Sequence, residues 1–185
     1  MRIRNALRDD CFVLGEIIDS AERSAFDGRV PEACLSELSL EQRAANWRRF
    51  FDSGSTQRGD EVLFVAEASP DEVVGFILAG RATAETVHDA SVAAIYRREI
   101  TVLQVAPAWQ RCGVGRALVS AAAAWFVERG HRSISVLVVE SNPNRPFYSR
   151  LGARELSVQP YDWAGYAMRQ VVYGWLDIGV LCGAA

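Results

Sequence analysis

The run Q-R-C-G-V-G-R-A-L, from Gln110 to Leu118, places Gly113 and Gly115 one residue apart, between a strand-like segment (98–105) and a helix-like one (116–129). Two glycines at such a junction let the backbone bend so that successive N–H groups face one point. The helix that follows adds its own unpaired N–H groups and a partial positive charge at that point. Main-chain amides gathered in this way suit phosphate oxygens. A purely structural turn is the alternative, since Gly-x-Gly alone is a weak signal.

Two familiar phosphate loops fail on specific residues. A dinucleotide fingerprint needs a third glycine, but the position three after Gly115 is Leu118. A Walker loop needs a lysine, and the chain has none: all 20 basic residues are arginine.

The chain has 185 residues, half of them hydrophobic, with a formal net charge of -3. That is enough for one α/β domain with a sizeable core, and it gives no electrostatic footprint for nucleic acid or a membrane surface. The N-terminal M-R-I-R-N-A-L-R-D-D lacks a signal peptide's apolar core, and the longest apolar run (119–127) is too short to span a bilayer. The expectation is a cytoplasmic protein. Cys11, Cys34, Cys112 and Cys182 show no paired spacing and there are only two histidines, so no metal is expected.

Periodicity places a strand at 1–7, a helix at 11–24, a loop at 26–31, and a second helical region around Leu35, Leu38 and Leu40, continuing through 41–51 with Ser39 as a cap. Residues 53–60 read as an exposed polar loop, and 83–93 have no assignable pattern. Segments 61–67 and 73–81 read as a hairpin around Ser69-Pro70-Asp71-Glu72. Strands are expected at 98–105, 133–139, 155–160 and 166–175, and a short helix at 147–150. The order implies an α/β fold: a mixed central sheet with helices on both faces, in one domain spanning 1–178. The apolar tail 179–185 reads either as a dimer contact, giving a homodimer, or as an unstructured end.

The stretch E-I-T-V-L-Q-V-A-P-A-W-Q-R-C-G-V-G-R-A-L (99–118) resembles the acetyl-CoA motif of the GCN5-related N-acetyltransferase (GNAT) superfamily, Gln/Arg-x-x-Gly-x-Gly/Ala. N-P-N-R-P-F-Y-S-R-L-G (142–152) is similar to the family's Asn…Phe-Tyr-x-x-Leu-Gly segment. The runs S-A-F-D-G-R-V-P-E-A-C-L-S-E-L-S (24–39) and V-V-Y-G-W-L-D-I (171–178) are similar to a bacterial branch of small GNAT enzymes.

The resemblance implies a mostly antiparallel sheet with one splayed pair of strands, and acetyl-CoA as acyl donor. Leu103, Gln104 and Val105 would offer backbone groups to the pantetheine arm and the thioester. Arg111, Cys112, Gly113, Val114, Gly115, Arg116 and Ala117 would hold the diphosphate through main-chain amides. The side chains of Arg111 and Arg116 would either reach phosphates or remain solvated. Asn142 would cap the short helix or meet the pantetheine; Pro146 departs from the family pattern and moves the expected helix start to Asn144. Gln104 departs too, since the branch commonly has an aromatic there.

A primary amine, with a pKa of about 10, must lose a proton before it attacks. The resemblance gives that role to Glu99, and gives Tyr148 the protonation of the leaving thiolate, whose pKa is about 8.5; a backbone N–H near Val105 would be the donor to the oxyanion. Phe26, Tyr96, Glu140 and Trp47 are candidate lining residues for the acceptor, with core burial the alternative, chiefly for Trp47. The expected function is acetyl transfer from acetyl-CoA to a small-molecule or peptide amine. The alternatives are a catalytically silent acyl-CoA-binding module and an acyltransferase using another acyl group or acceptor.

Overall fold

A computed structural model describes residues 1–82 and 87–183. In chain order the elements are β1 (Arg2–Asn5), α1 (Cys11–Phe26), α2 (Glu32–Leu35), α3 (Leu40–Ser53), α4 (Ser55–Arg58), β2 (Val62–Ser69), β3 (Glu72–Arg81), α5 (Ala90–Ile95), β4 (Arg98–Val105), α6 (Val114–Glu128), β5 (Ile134–Val139), α7 (Pro146–Arg150), β6 (Arg154–Trp163) and β7 (Tyr166–Trp175). The strands form one sheet in the order β1-β2-β3-β4-β5-β7-β6. Every neighbouring pair is antiparallel except β4 and β5.

Alternation along the strands divides the core between the two faces. On β3, Phe76 and Leu78 meet Leu14 and Ile17 of α1 and Trp47 of α3, while Ile77 and Ala79 meet α6 on the other side. Both sides of β3 are therefore apolar, which suits a central strand. Trp47 packs edge-on to Phe76 and Phe50, with ring centroids 5.3 and 5.8 Å away, and is a core residue. α6 buries Leu118, Val119, Ala122, Ala123 and Phe126. Its small residues let the helix lie close to the sheet.

Ser39 caps α3 reciprocally. Its hydroxyl accepts from the Gln42 amide, and the Gln42 side chain accepts from the Ser39 amide at 2.8 Å. The hairpin around Pro70-Asp71 is present, with Asp71 in the left-handed region.

Several local expectations change. The loop expected at 53–60 holds the single turn α4, with Ser55 buried. In the unassigned segment, residues 83–86 lie outside the described residues. Asp89 then caps α5, its carboxylate accepting from the amides of Ser91 and Val92. Of the tail, Leu181 is buried with Ile178, the last residue before it, in the cluster that holds α6, and Ala184 and Ala185 lie outside the described residues. No helix among the described residues is long and apolar enough to cross a membrane.

Candidate active site

The parallel pair β4–β5 is joined at only two positions, Glu99 with Ser135 and Ile100 with Val136. Thr101 is then an extra residue in the pairing of β4 with β3, where Leu78 faces Val102 and Ala79 faces Ile100. A bulge bends its strand and increases the local twist, so β4 leaves β5 there. From Thr101 to Val105 the second edge of β4 has no strand beside it among the described residues. Gln110 fixes the end of this free edge, its side-chain amide donating to the Val105 carbonyl at 3.1 Å. That bond gives the signature glutamine a role that its place in the motif alone did not reveal.

Past Pro107 the chain turns sharply into α6. Arg111 (φ 65°) and Gly113 (φ 85°) both take left-handed backbone on either side of Cys112. Alternation of this kind turns successive amides to one side, forming an anion-binding concavity. Among the described residues, no protein group accepts from the amides of residues 111–116. Ala117 is different, because its amide donates to the Gly113 carbonyl at 3.0 Å. The set of outward amides therefore ends at Arg116, one residue short of the sequence expectation. The side chains of Arg111 and Arg116 are exposed and form no ion pair among the described residues.

The two glycines serve different ends. A Cβ on Gly113 would meet nothing within 4 Å, so this position needs glycine for its backbone angle and opens on free space. A Cβ on Gly115 would stand 3.3 Å from Cζ of Phe147. Gly115 thus lets α7, which carries Tyr148 next to Phe147, dock against the start of α6.

Tyr148 is buried on the α6 side of the sheet. Its ring stacks on Tyr173 at 5.9 Å and meets Phe147 edge-on at 5.2 Å. Burial pushes its phenol well above the ordinary tyrosine value, so the group is a neutral proton donor across the physiological range. α7 begins at Pro146, where a missing N–H costs the first turn nothing. The expected start at Asn144 is corrected accordingly. Asn142 does not cap α7: its side-chain oxygen accepts from the Asn144 amide at 2.8 Å, forming an Asx turn ahead of the helix.

Glu99 lies on the opposite side of the sheet. It is 4% exposed, accepts a 3.5 Å bond from the Thr101 hydroxyl, and lines a cavity of about 360 Å³. Pairing register puts Glu99, Ser135, Leu137, Gln170, Gln159 and Tyr161 on this one face. The rest of the wall comes from His88, Ile100, Thr101, Pro160 and Asp162.

Phe26, Tyr96 and Glu140 do not line this cavity, and each has another partner. Phe26 packs edge-on to Trp163 in the cluster that also holds Tyr161, one layer behind the wall. Tyr96 lies over Gly174, where a Cβ would stand 2.5 Å from its ring. Glu140 faces Arg169 at 3.4 Å, and its carbonyl accepts from Arg145 at 2.8 Å. Sequence reasoning missed the wall residues on β6 and β7. They are distant in the chain, and only strand pairing brings them beside Glu99.

Comparison with known proteins identifies the family and the fold. The family model of the acetyltransferase (GNAT) family matches residues 22–153. An uncharacterized N-acetyltransferase, YuaI, of Bacillus subtilis is 26% identical over 180 residues, covering 97% of this chain and 95% of its own. Among solved structures, the PaiA N-acetyltransferase of Thermoplasma acidophilum in complex with coenzyme A superposes with a TM-score of 0.71 at 15% identity, covering 94% of this chain and 96% of its own. The YncA putative acetyltransferase of Salmonella typhimurium, with acetyl-CoA, gives 0.65 at 20% identity, covering 96% and 94%. The seven-stranded, mostly antiparallel sheet is the fold these structures share, and the family match spans most of the sequence: the chain belongs to the acetyltransferase (GNAT) family.

Proposed function

We propose that this chain transfers the acetyl group of acetyl-CoA to a primary amine, by direct attack with both substrates bound. One observation carries the reading. Where β4 parts from β5, a loop of outward amides on one side of the sheet and a cavity holding a buried glutamate on the other border the same opening. Six unpartnered amides, left-handed backbone and two exposed arginines fit a diphosphate. The free edge of β4 over Leu103, Gln104 and Val105 fits an extended amide-bearing arm, which binds as an added strand does. Acetyl-CoA supplies a thioester as acyl donor.

The protein's own residues then have separate tasks. Amides of residues 111–116 hold the diphosphate and fix the depth at which the thioester lies. Glu99 takes the proton of the incoming ammonium, directly or through a water. A main-chain N–H near Val105 on the free edge stabilises charge developing on the carbonyl oxygen. Tyr148, kept protonated by its burial, donates to the departing thiolate. Base and acid stand on opposite sides of the sheet, so neither neutralises the other before reaction.

Release of free thiol from acetyl-CoA across a panel of amines tests the reading. Amine-dependent thiol release supports it. Tight acetyl-CoA binding with no turnover on any acceptor would favour a silent binding module.

A further inference from the structure

We infer that Gln170, with Tyr161 beside it, reads an uncharged amide on the acceptor. The inference rests on the acetyl-transfer reading and narrows it to a substrate class: amines that carry an amide group close by, rather than a free carboxylate.

Gln170 lies on β7 between Val139 of β5 and Gln159 of β6, its two partners in the strand pairing. Residues directly opposed across a sheet share a face. Val139 packs with Tyr161, Met168 and Phe26, on the side that holds Glu99, so Gln170 faces that side too. It lines the same cavity of about 360 Å³. Tyr161 opposes Met168, two residues before Gln170. The two side chains are therefore diagonal neighbours, within reach of one ligand group. Along β5, Ser135 beside Glu99 and Val139 beside Gln170 are four residues apart, about 13 Å of strand. Side chains reaching inward shorten that gap, which leaves room for an amine at one end and an amide at the other.

The two glutamines of this pair differ in their partners. Gln159 is buried, and its Oε1 accepts from the His88 amide at 3.1 Å, which ties β6 to the segment before α5. Gln170 is half-buried, and its side chain bonds no other described residue; nor does the Tyr161 hydroxyl. A carboxamide offers one carbonyl and one NH2 group, and an amide on the ligand offers the complementary pair. The wall has no arginine, and its one histidine is exposed. Burial, and then the charges of Glu22 and Glu37, push the Tyr161 phenol upward, so it remains a neutral donor in a negative surrounding. A carboxylate would enter that surrounding with no guanidinium to receive it, which is costly. An amide carries no charge to be opposed.

The test measures kcat/KM on the wild type and on Gln170→Leu for an amino-acid amide, the free amino acid and an alkylamine of equal length. Leucine is of similar size, and the neighbours Val139 and Met168 are apolar, so the sheet can accept it. Dividing the wild-type ratio of amide to alkylamine by the same ratio in the variant cancels their different basicities. The expected quotient is about tenfold. Tyr161→Phe removes only a hydroxyl and should lower the amide preference by about threefold. A quotient near one for Gln170→Leu, or a free amino acid turned over faster than its amide, would overturn the inference. Repeating the quotient with a tripeptide separates the two sources of an amide, a small molecule or a chain terminus, and a tenfold quotient with either supports the subsite. If no amine is acetylated, the transfer reading fails instead. Calorimetric titration of the amide then decides the inference: binding weakened by Gln170→Leu supports it, and equal or absent binding overturns it.

Discussion

The amide loop at 111–116 and the cavity around Glu99 are built on opposite principles. The loop binds with main-chain groups, and seven consecutive residues, from Gln110 to Arg116, set its shape. The cavity works with side chains drawn from four strands and the segment before α5. A backbone site depends on conformation and tolerates many side chains. A side-chain site depends on identity at each position. That contrast predicts which substitutions matter at which end of the opening between β4 and β5.

The largest effect is expected at the side-chain site. Glu99→Gln is nearly isosteric and removes the base, so kcat should fall by about a thousandfold while acetyl-CoA affinity holds. Steady-state kinetics with a calorimetric Kd checks both halves. Retained turnover would assign proton removal to another group.

Gly113→Val tests the backbone site. A β-branched residue at φ 85° is strongly disfavoured, and the loop must reshape to accept it. Acetyl-CoA binding should weaken by about a hundredfold. A Cβ there meets no protein atom, so the backbone strain of about 1–3 kcal/mol is the only stability cost, and the thermal midpoint should fall by several degrees at most.

Tyr148→Phe comes next, with turnover lowered by about tenfold and acetyl-CoA affinity nearly intact. The pH profile sharpens the point. A phenol raised above its ordinary value of about 10 keeps its proton as pH rises through that value. Wild-type turnover should therefore show no loss attributable to Tyr148 between about pH 8 and pH 10.

The smallest effect belongs to Cys112→Ala. Cys112 is exposed, its thiol donates only to the Gln110 carbonyl at 3.5 Å, and its proposed contribution is its amide. Acetyl-CoA affinity should stay within about twofold. A large loss would mean that this loop binds through side chains after all.

The same contrast explains what could be read from the sequence. β4 and β7 occupy the spans expected, because β-branched runs bounded by proline and glycine are local signals. The glycine loop was legible for the same reason. α5 was not, since six residues carry too few turns to show a period. The start of α7 was misplaced because Pro146 was counted as a missing N–H within a helix begun earlier, whereas it stands at the first helical position, where none is needed. Glu99 was named as a candidate base and does line the cavity, but the residues named around it do not. Tyr96 and Phe26 were chosen as aromatics near the right elements, and the register instead seats one over Gly174 and the other on Trp163. Gln159 and Tyr161 carry no local signal, since they become site residues only when β6 pairs with β7.

The most direct test is a crystal structure of the protein with coenzyme A. The account predicts the diphosphate within hydrogen-bond distance of amides in residues 111–116, with the pantetheine arm along the free edge of β4 and its sulfur directed toward the opening between Glu99 and Tyr148. A diphosphate held by side chains elsewhere, with those amides facing only solvent, would contradict it.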